Sequence, residues 1–159
     1  MIAFWRRHKE SPAEPPDSDA EVLAALDAFI AETETRVPPI VEARILRIAS
    51  TVRQTVPRLD QLGTSGADAH AVMRTATSYL PEAVAAYLRL PRDFADRRAV
   101  SGGKTSLSVL CDQLDLLANK MDDFFDAACR ADADALIAHG RFLAEKFGSG
   151  ALALDPEMR

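Results

Sequence analysis

Five polar residues, Asp112, Asp115, Asn119, Asp122 and Asp126, recur at steps of three, four, three and four. At 100° per residue such a set forms one stripe along a helix. A row of carboxylates can solvate a face or dock against bases. Arg44 and Arg47, joined by Arg58 if Pro57 does not turn it aside, form a narrower basic ridge upstream. The acidic stripe can therefore meet a basic partner, the arginines of a second copy, or the same arginines within one chain.

Gly103-Lys104-Thr105 stands directly before a strong helical pattern. A helix start presents free N–H groups that attract anions. A full phosphate-binding loop also needs a glycine five residues before Gly103, and that position is Arg98. The alternative it leaves is a phosphate-binding or phosphate-ester-hydrolysing site at Gly103, Lys104 and Thr105. The other reading is a loop that ends in an N-cap.

Metal chemistry needs convergent His, Cys or carboxylate ligands. His8, His70 and His139 lie on three different segments, and no metal site is expected. No cofactor is implied either. Asp132 and Asp134 read as the cap and first turn of a final helix. Cys111 and Cys129 fall beside an apolar seam, where packing is the ordinary role. Eighteen residues of helix would hold them about 27 Å apart, beyond disulfide reach. There is no G-x-S-x-G elbow, and no catalytic residue is assigned.

The first ten residues mix Ile2, Phe4 and Trp5 with Arg6, Arg7 and Lys9. Phe4, Trp5, Arg6 and Arg7 suit a membrane surface or a groove on a partner. Pro12, Pro15 and Pro16 then make an extended linker.

These groups must be held by helices. The chain has 159 residues, 48% of them hydrophobic and 27% charged, with a net charge of −5. That suits one globular domain with its own core. An acidic balance argues against nucleic acid as a partner. The apolar runs are too short to span a bilayer, and the basic residues follow the N-terminal apolar ones, the reverse of a signal peptide. A cytoplasmic protein is expected, peripheral to the inner membrane face if the tip binds there.

Apolar residues recur at helical spacing throughout. Ser18 and Glu21 make a capping box ahead of Val22, Leu26 and Ile30. Pro39 starts a second helix with Val41, Ile45, Ile48, Val52 and Val56, and Pro57 predicts a kink or break. Gly63–Gly66 reads as a loop. Val72, Met73, Ala76, Leu80, Val84, Tyr87 and Leu88 form a third stripe, interrupted by Pro81. Residues 92–104 read as irregular. Leu107, Leu110, Leu114, Leu117, Met121, Phe124 and Ala128 make a coiled-coil-like seam over 105–130. Asp132 should open a last helix with Leu136, Ile137, Leu143 and Phe147 inward, and a close helix contact would explain Gly140. The expected fold is all-α, a single antiparallel bundle of four to six helices over 18–148. Residues 1–17 form the tip and linker, and 149–159 a tail.

Arg74-x-x-x-x-Tyr79-Leu80-Pro81, followed by Tyr87 and Leu90, resembles the XpaC-like bacterial proteins, named for 5-bromo-4-chloroindolyl phosphate hydrolysis. The similarity covers roughly residues 40–145. It extends to the spacing of the Ile45–Leu62 helix and to the layout of Leu114–Ala138. This chain departs from some relatives in lacking an N-terminal membrane span and in carrying Ser101-Gly102-Gly103-Lys104. The resemblance implies a helical protein that works beside TelA-type toxic-anion resistance proteins. It brings no catalytic residues that could be carried over.

Together these readings predict a non-catalytic adaptor that takes a protein partner, a TelA-like protein or a second copy. The Asp stripe and the aromatic-basic tip would be its binding elements.

Overall fold

The computed structural model describes residues 18–62 and 66–148. It is an all-α architecture with antiparallel packing, and 85% of the described residues are helical. The tip, the linker and the 149–159 tail lie outside the described residues, as do Gly63, Thr64 and Ser65 of the expected loop.

Helix α1 is Asp19–Thr33. The Ser18 hydroxyl accepts from the Glu21 backbone N–H at 3.2 Å, so the predicted cap forms. Val22 and Leu26 are fully buried. Helix α2, Pro39–Thr55, begins at a proline whose missing N–H costs nothing there. Val41, Ile45, Ile48, Ala49 and Val52 form its buried stripe. At Pro57 the chain does not break. It tightens into a 3-10 turn over Val56–Gln61.

Helix α3, Ala67–Arg74, passes through a π turn at Thr75–Tyr79 into helix α4, Leu80–Leu88. The apolar spacing explains that turn. Val72, Ala76, Leu80 and Val84 recur at steps of four, and all are buried. In an α-helix each such step drifts about 40° round the axis. A π turn holds more residues per turn and brings the series back onto one face. Pro81 favours it further, because it offers no N–H to the Thr77 carbonyl. The N–H of Leu80 reaches Thr75 O instead.

The stretch expected to be irregular contains two small elements. Helix α5 is Arg92–Arg97. A hairpin follows, β1 Ala99–Ser101 against β2 Lys104–Thr105. Gly102 and Gly103 sit at φ 55° and 77°, the left-handed pair that a two-residue hairpin turn requires. Strands of three and two residues are too short to show alternation in sequence.

Helix α6 is Ser106–Leu143, extended by a π turn over Ala144–Gly148 into one helix of 43 residues. Thr105 caps it, accepting from Ser108 N at 3.1 Å. The predicted restart at Asp132 does not occur. Residues 106–139 contain no Gly or Pro, and alternating alanines at 131–138 favour continuation. Asp132 reaches Arg58 at 3.6 Å rather than capping anything.

Leu26, Ile45, Ile48, Leu80, Leu114 and Met121 are the largest fully buried side chains. They tie α1, α2, α4 and the first two-thirds of α6 into one core. Past Ala131 the packing among the described residues stops, and every residue from Asp132 to Phe147 is exposed. Leu136, Ile137, Leu143 and Phe147 therefore do not point inward as the spacing predicted. A Cβ on Gly140 would meet nothing within 4 Å, so no close helix contact explains that glycine.

Candidate functional site

The acidic stripe and the arginine ridge find each other within the chain. Arg44 Nε donates to Asp115 Oδ1 at 3.0 Å and its Nη2 donates to Oδ2 at 3.3 Å. One turn on, Arg47 Nη2 donates to Asp122 Oδ2 at 2.7 Å and to Asn119 Oδ1 at 3.3 Å. The Thr51 hydroxyl donates to the second oxygen of Asp122 at 3.1 Å. Arg58 keeps its place on the ridge through the 3-10 turn and meets Asp132. Of the three openings left by the sequence, the structure takes the intramolecular one for Arg44, Arg47, Asp115, Asn119 and Asp122. Asp126, on the same stripe, is exposed.

Asp112 takes a different base. It is hydrogen-bonded and ion-paired to Lys104 of the hairpin. Gly103 lies at the hairpin tip, and the Thr105 hydroxyl is engaged at the start of α6. The three residues thus do not converge on one cradle. Lys104 is turned to a carboxylate, and the Thr105 hydroxyl takes one of the free N–H groups at the helix start, that of Ser108.

Among the described residues no three His, Cys, Asp or Glu side chains come close enough to hold a metal ion. Cys111 and Cys129 are unbridged. Burial pushes the Cys111 thiol up, against the nearby Arg44, and so keeps it protonated. That fits its packing role.

Two polar arrangements escaped the sequence reading. Tyr87 is buried, and its hydroxyl donates to Asp96 Oδ1 at 2.6 Å while accepting from Arg92 at 3.2 Å. Burial and the Asp96 hydrogen bond push the phenol up. This triad pins α5 to α4. Separately, a cleft of about 310 Å³ opens between α1 and α4, floored by Phe29, Val84 and Leu88 and edged by Arg36 and Arg89. The arginines are occupied there. Arg89 Nε donates to Ala85 O at 3.3 Å, and Arg36 lies 3.7 Å from Glu32. Both stand at helix C-termini, where a cation offsets exposed carbonyls.

Among the described residues, the outer part of α6 presents a run of exposed apolar side chains. Leu136 is 72% exposed and Phe147 64%, with Ile137, Phe142 and Leu143 exposed between them. His139 stacks on Phe142 with centroids 6.2 Å apart, and Lys146 lies over the Phe142 and Phe147 rings. The sequence showed this apolar spacing but not that the other described residues would leave it uncovered. Phe4, Trp5, Arg6 and Arg7 of the tip lie outside the described residues.

No helix among the described residues is long and apolar enough to cross a membrane. Compared with protein-family models, curated proteins and solved structures, the chain matches none.

Proposed function

We propose that the chain is a non-catalytic interaction module that engages a protein partner through the outer part of α6. One observation carries this reading: large apolar side chains stand exposed along sixteen consecutive uncovered positions, Asp132 to Phe147. Exposed apolar area of this kind marks interaction surfaces, because covering it releases roughly 25 cal/mol per Å². An amphipathic helix offering anchors at steps of three and four is a common recognition unit. The resemblance to XpaC-like proteins supports a setting beside TelA-type proteins, in toxic-anion or envelope stress.

Capture from the native cell lysate tests the reading. The baits are the full chain and its Leu136→Glu/Leu143→Glu variant, compared by mass spectrometry. A near-stoichiometric partner held by the first and lost by the second is expected. A partner retained by both moves the contact off α6. An empty capture with both baits, in a lysate where the chain is monomeric, counts against an interaction module.

A further inference from the structure

The polar stripe on α6 does not end at Asp126. The same steps of three and four continue through Cys129, Ala133, Leu136, Gly140, Leu143 and Phe147. It is one stripe in two chemistries. Over its first half the arginines of α2 lie along it, and Arg58 of the 3-10 turn meets Asp132 just beside it. Over its second half the stripe is apolar and nothing in the described residues covers it. We infer that the cover is the same stripe of a second copy, running antiparallel; this rests on the reading of outer α6 as a docking surface.

Shape is the first argument. Ala133, Leu136, Gly140, Leu143 and Phe147 occupy the core positions of two heptads. In an antiparallel pair those positions meet in alternation. Gly140 then faces Leu143 of the partner copy, and Leu136 faces Phe147. Each contact occurs twice, as a two-fold axis demands. The missing side chain at Gly140, with open space around it, lets a leucine from the other helix sit down on the backbone. A small residue opposite a large one is the fit that this seam needs.

Charge sets the direction. Between residues 131 and 139 the charged side chains are Asp132 and Asp134, with no Lys or Arg. Between 140 and 148 they are Arg141, Lys146 and Glu145. In the register above, antiparallel pairing carries Asp132, Asp134 and Lys146 of one helix away from the same residues of the other, with Lys146 level with Ile137. Parallel pairing would lay like on like.

Room is the third argument. Sixteen exposed residues at 1.5 Å each give about 24 Å of helix beyond the bundle. Two such arms can overlap with each bundle past the other's end. The outermost contact, Leu136 to Phe147, begins one turn beyond the Arg58–Asp132 bridge where the covering turn ends. A seam this short falls at the small end of specific interfaces, so the dimer should be weak, with Kd on the order of 10 µM.

Sedimentation equilibrium of the full chain from about 2 to 500 µM tests this. A reversible monomer–dimer equilibrium is expected, and Leu136→Glu or Leu143→Glu should weaken it more than tenfold with the thermal melt of the bundle unchanged. The orientation is read from single cysteines placed at Leu136 and Phe147 in a Cys111→Ala/Cys129→Ala background. Position 136 should cross-link to 147 in a mixture faster than either links to itself. Faster like-to-like linkage means a parallel pair and overturns the inference. So does a chain that stays monomeric at 500 µM, and in that case a partner lost with the Leu136→Glu/Leu143→Glu bait would leave the interaction-module reading standing.

Discussion

Arg44 grips Asp115 with two nitrogens, at 3.0 and 3.3 Å, across the seam between α2 and α6. The hydrogen bonds to Asp115 are the main reason the guanidinium pKa is raised above its already high value. Both side chains are partly in water, at 27% and 43%, which limits what the pair contributes. Its bidentate geometry and the adjoining Arg47–Asp122 bridge raise it above a lone surface pair. Arg44→Ala should cost about 1 kcal/mol and lower Tm by about 2–4 °C. Asp115→Ala should then add little in the Arg44→Ala background. Thermal melts of the four-member cycle at low and high salt check this. A coupling of zero at both salts would show that the clasp contributes nothing.

Tyr87 gives an alkaline signature. Its folded-state pKa lies above the ordinary value of 10.0, first through burial and then through Asp96. The folded chain holds this proton where the unfolded chain releases it. The stabilisation is thus complete below about pH 10 and lost as pH rises through the folded pKa. Tyr87→Phe should cost about 1.5 kcal/mol at pH 8 by stripping a hydrogen bond from a carboxylate. Urea midpoints at pH 8, 10 and 11 should show the two proteins converging at the alkaline end. Parallel losses would assign the alkaline sensitivity to other groups.

The π turn makes a prediction about chain length. It carries one residue more than an α-helix would need between Arg74 and Leu80. Deleting Ser78 should let this stretch relax to α-helix with the flanking faces still in phase. Deleting Ala83 instead should rotate Val84 and Tyr87 off the core by about 100°. The first variant should fold with a modest fall in Tm. The second should lose its cooperative melt. Similar melts for both would show that the turn stores no spare residue.

Helix stability along α6 should be uneven. Leu114 and Met121 are fully buried, and Leu114→Ala should cost about 2–5 kcal/mol. Beyond Asp132 a helix of this length without packing is marginal in water. Amide exchange should therefore be slow over 110–128 and fast over 134–148 at low concentration. Protection of the outer segment should rise with protein concentration if copies pair. Uniform slow exchange along the whole helix in dilute solution would contradict the account.

Most of this fold is legible in sequence because its boundaries are chemical. Ser18, Pro39 and Thr105 each mark a helix start by what they cap or omit. The acidic stripe and the arginines were legible as two ridges, and helix periodicity could not say that they would close on one another. Asp132 misled for a physical reason. An aspartate before alanines and leucines looks like an N-cap, yet nothing before it ended the preceding helix, and Arg58 gave the carboxylate another partner. The hairpin was hidden by brevity. Leu136 and Leu143 misled most, because amphipathic spacing shows that a face wants cover and not whether the same chain supplies it.

The overhang of α6 also shapes how the molecule moves through solvent. A rod of about 24 Å reaching beyond a small bundle raises friction above that of a compact body of the same mass. A single copy will elute from a sizing column ahead of a compact 17.3 kDa sphere and imitate a larger particle. Two copies joined arm to arm place their bundles at opposite ends of a shared strut, and that dumbbell drags more than twice the mass would suggest. Copy number in this protein is therefore read from its mass rather than from its radius.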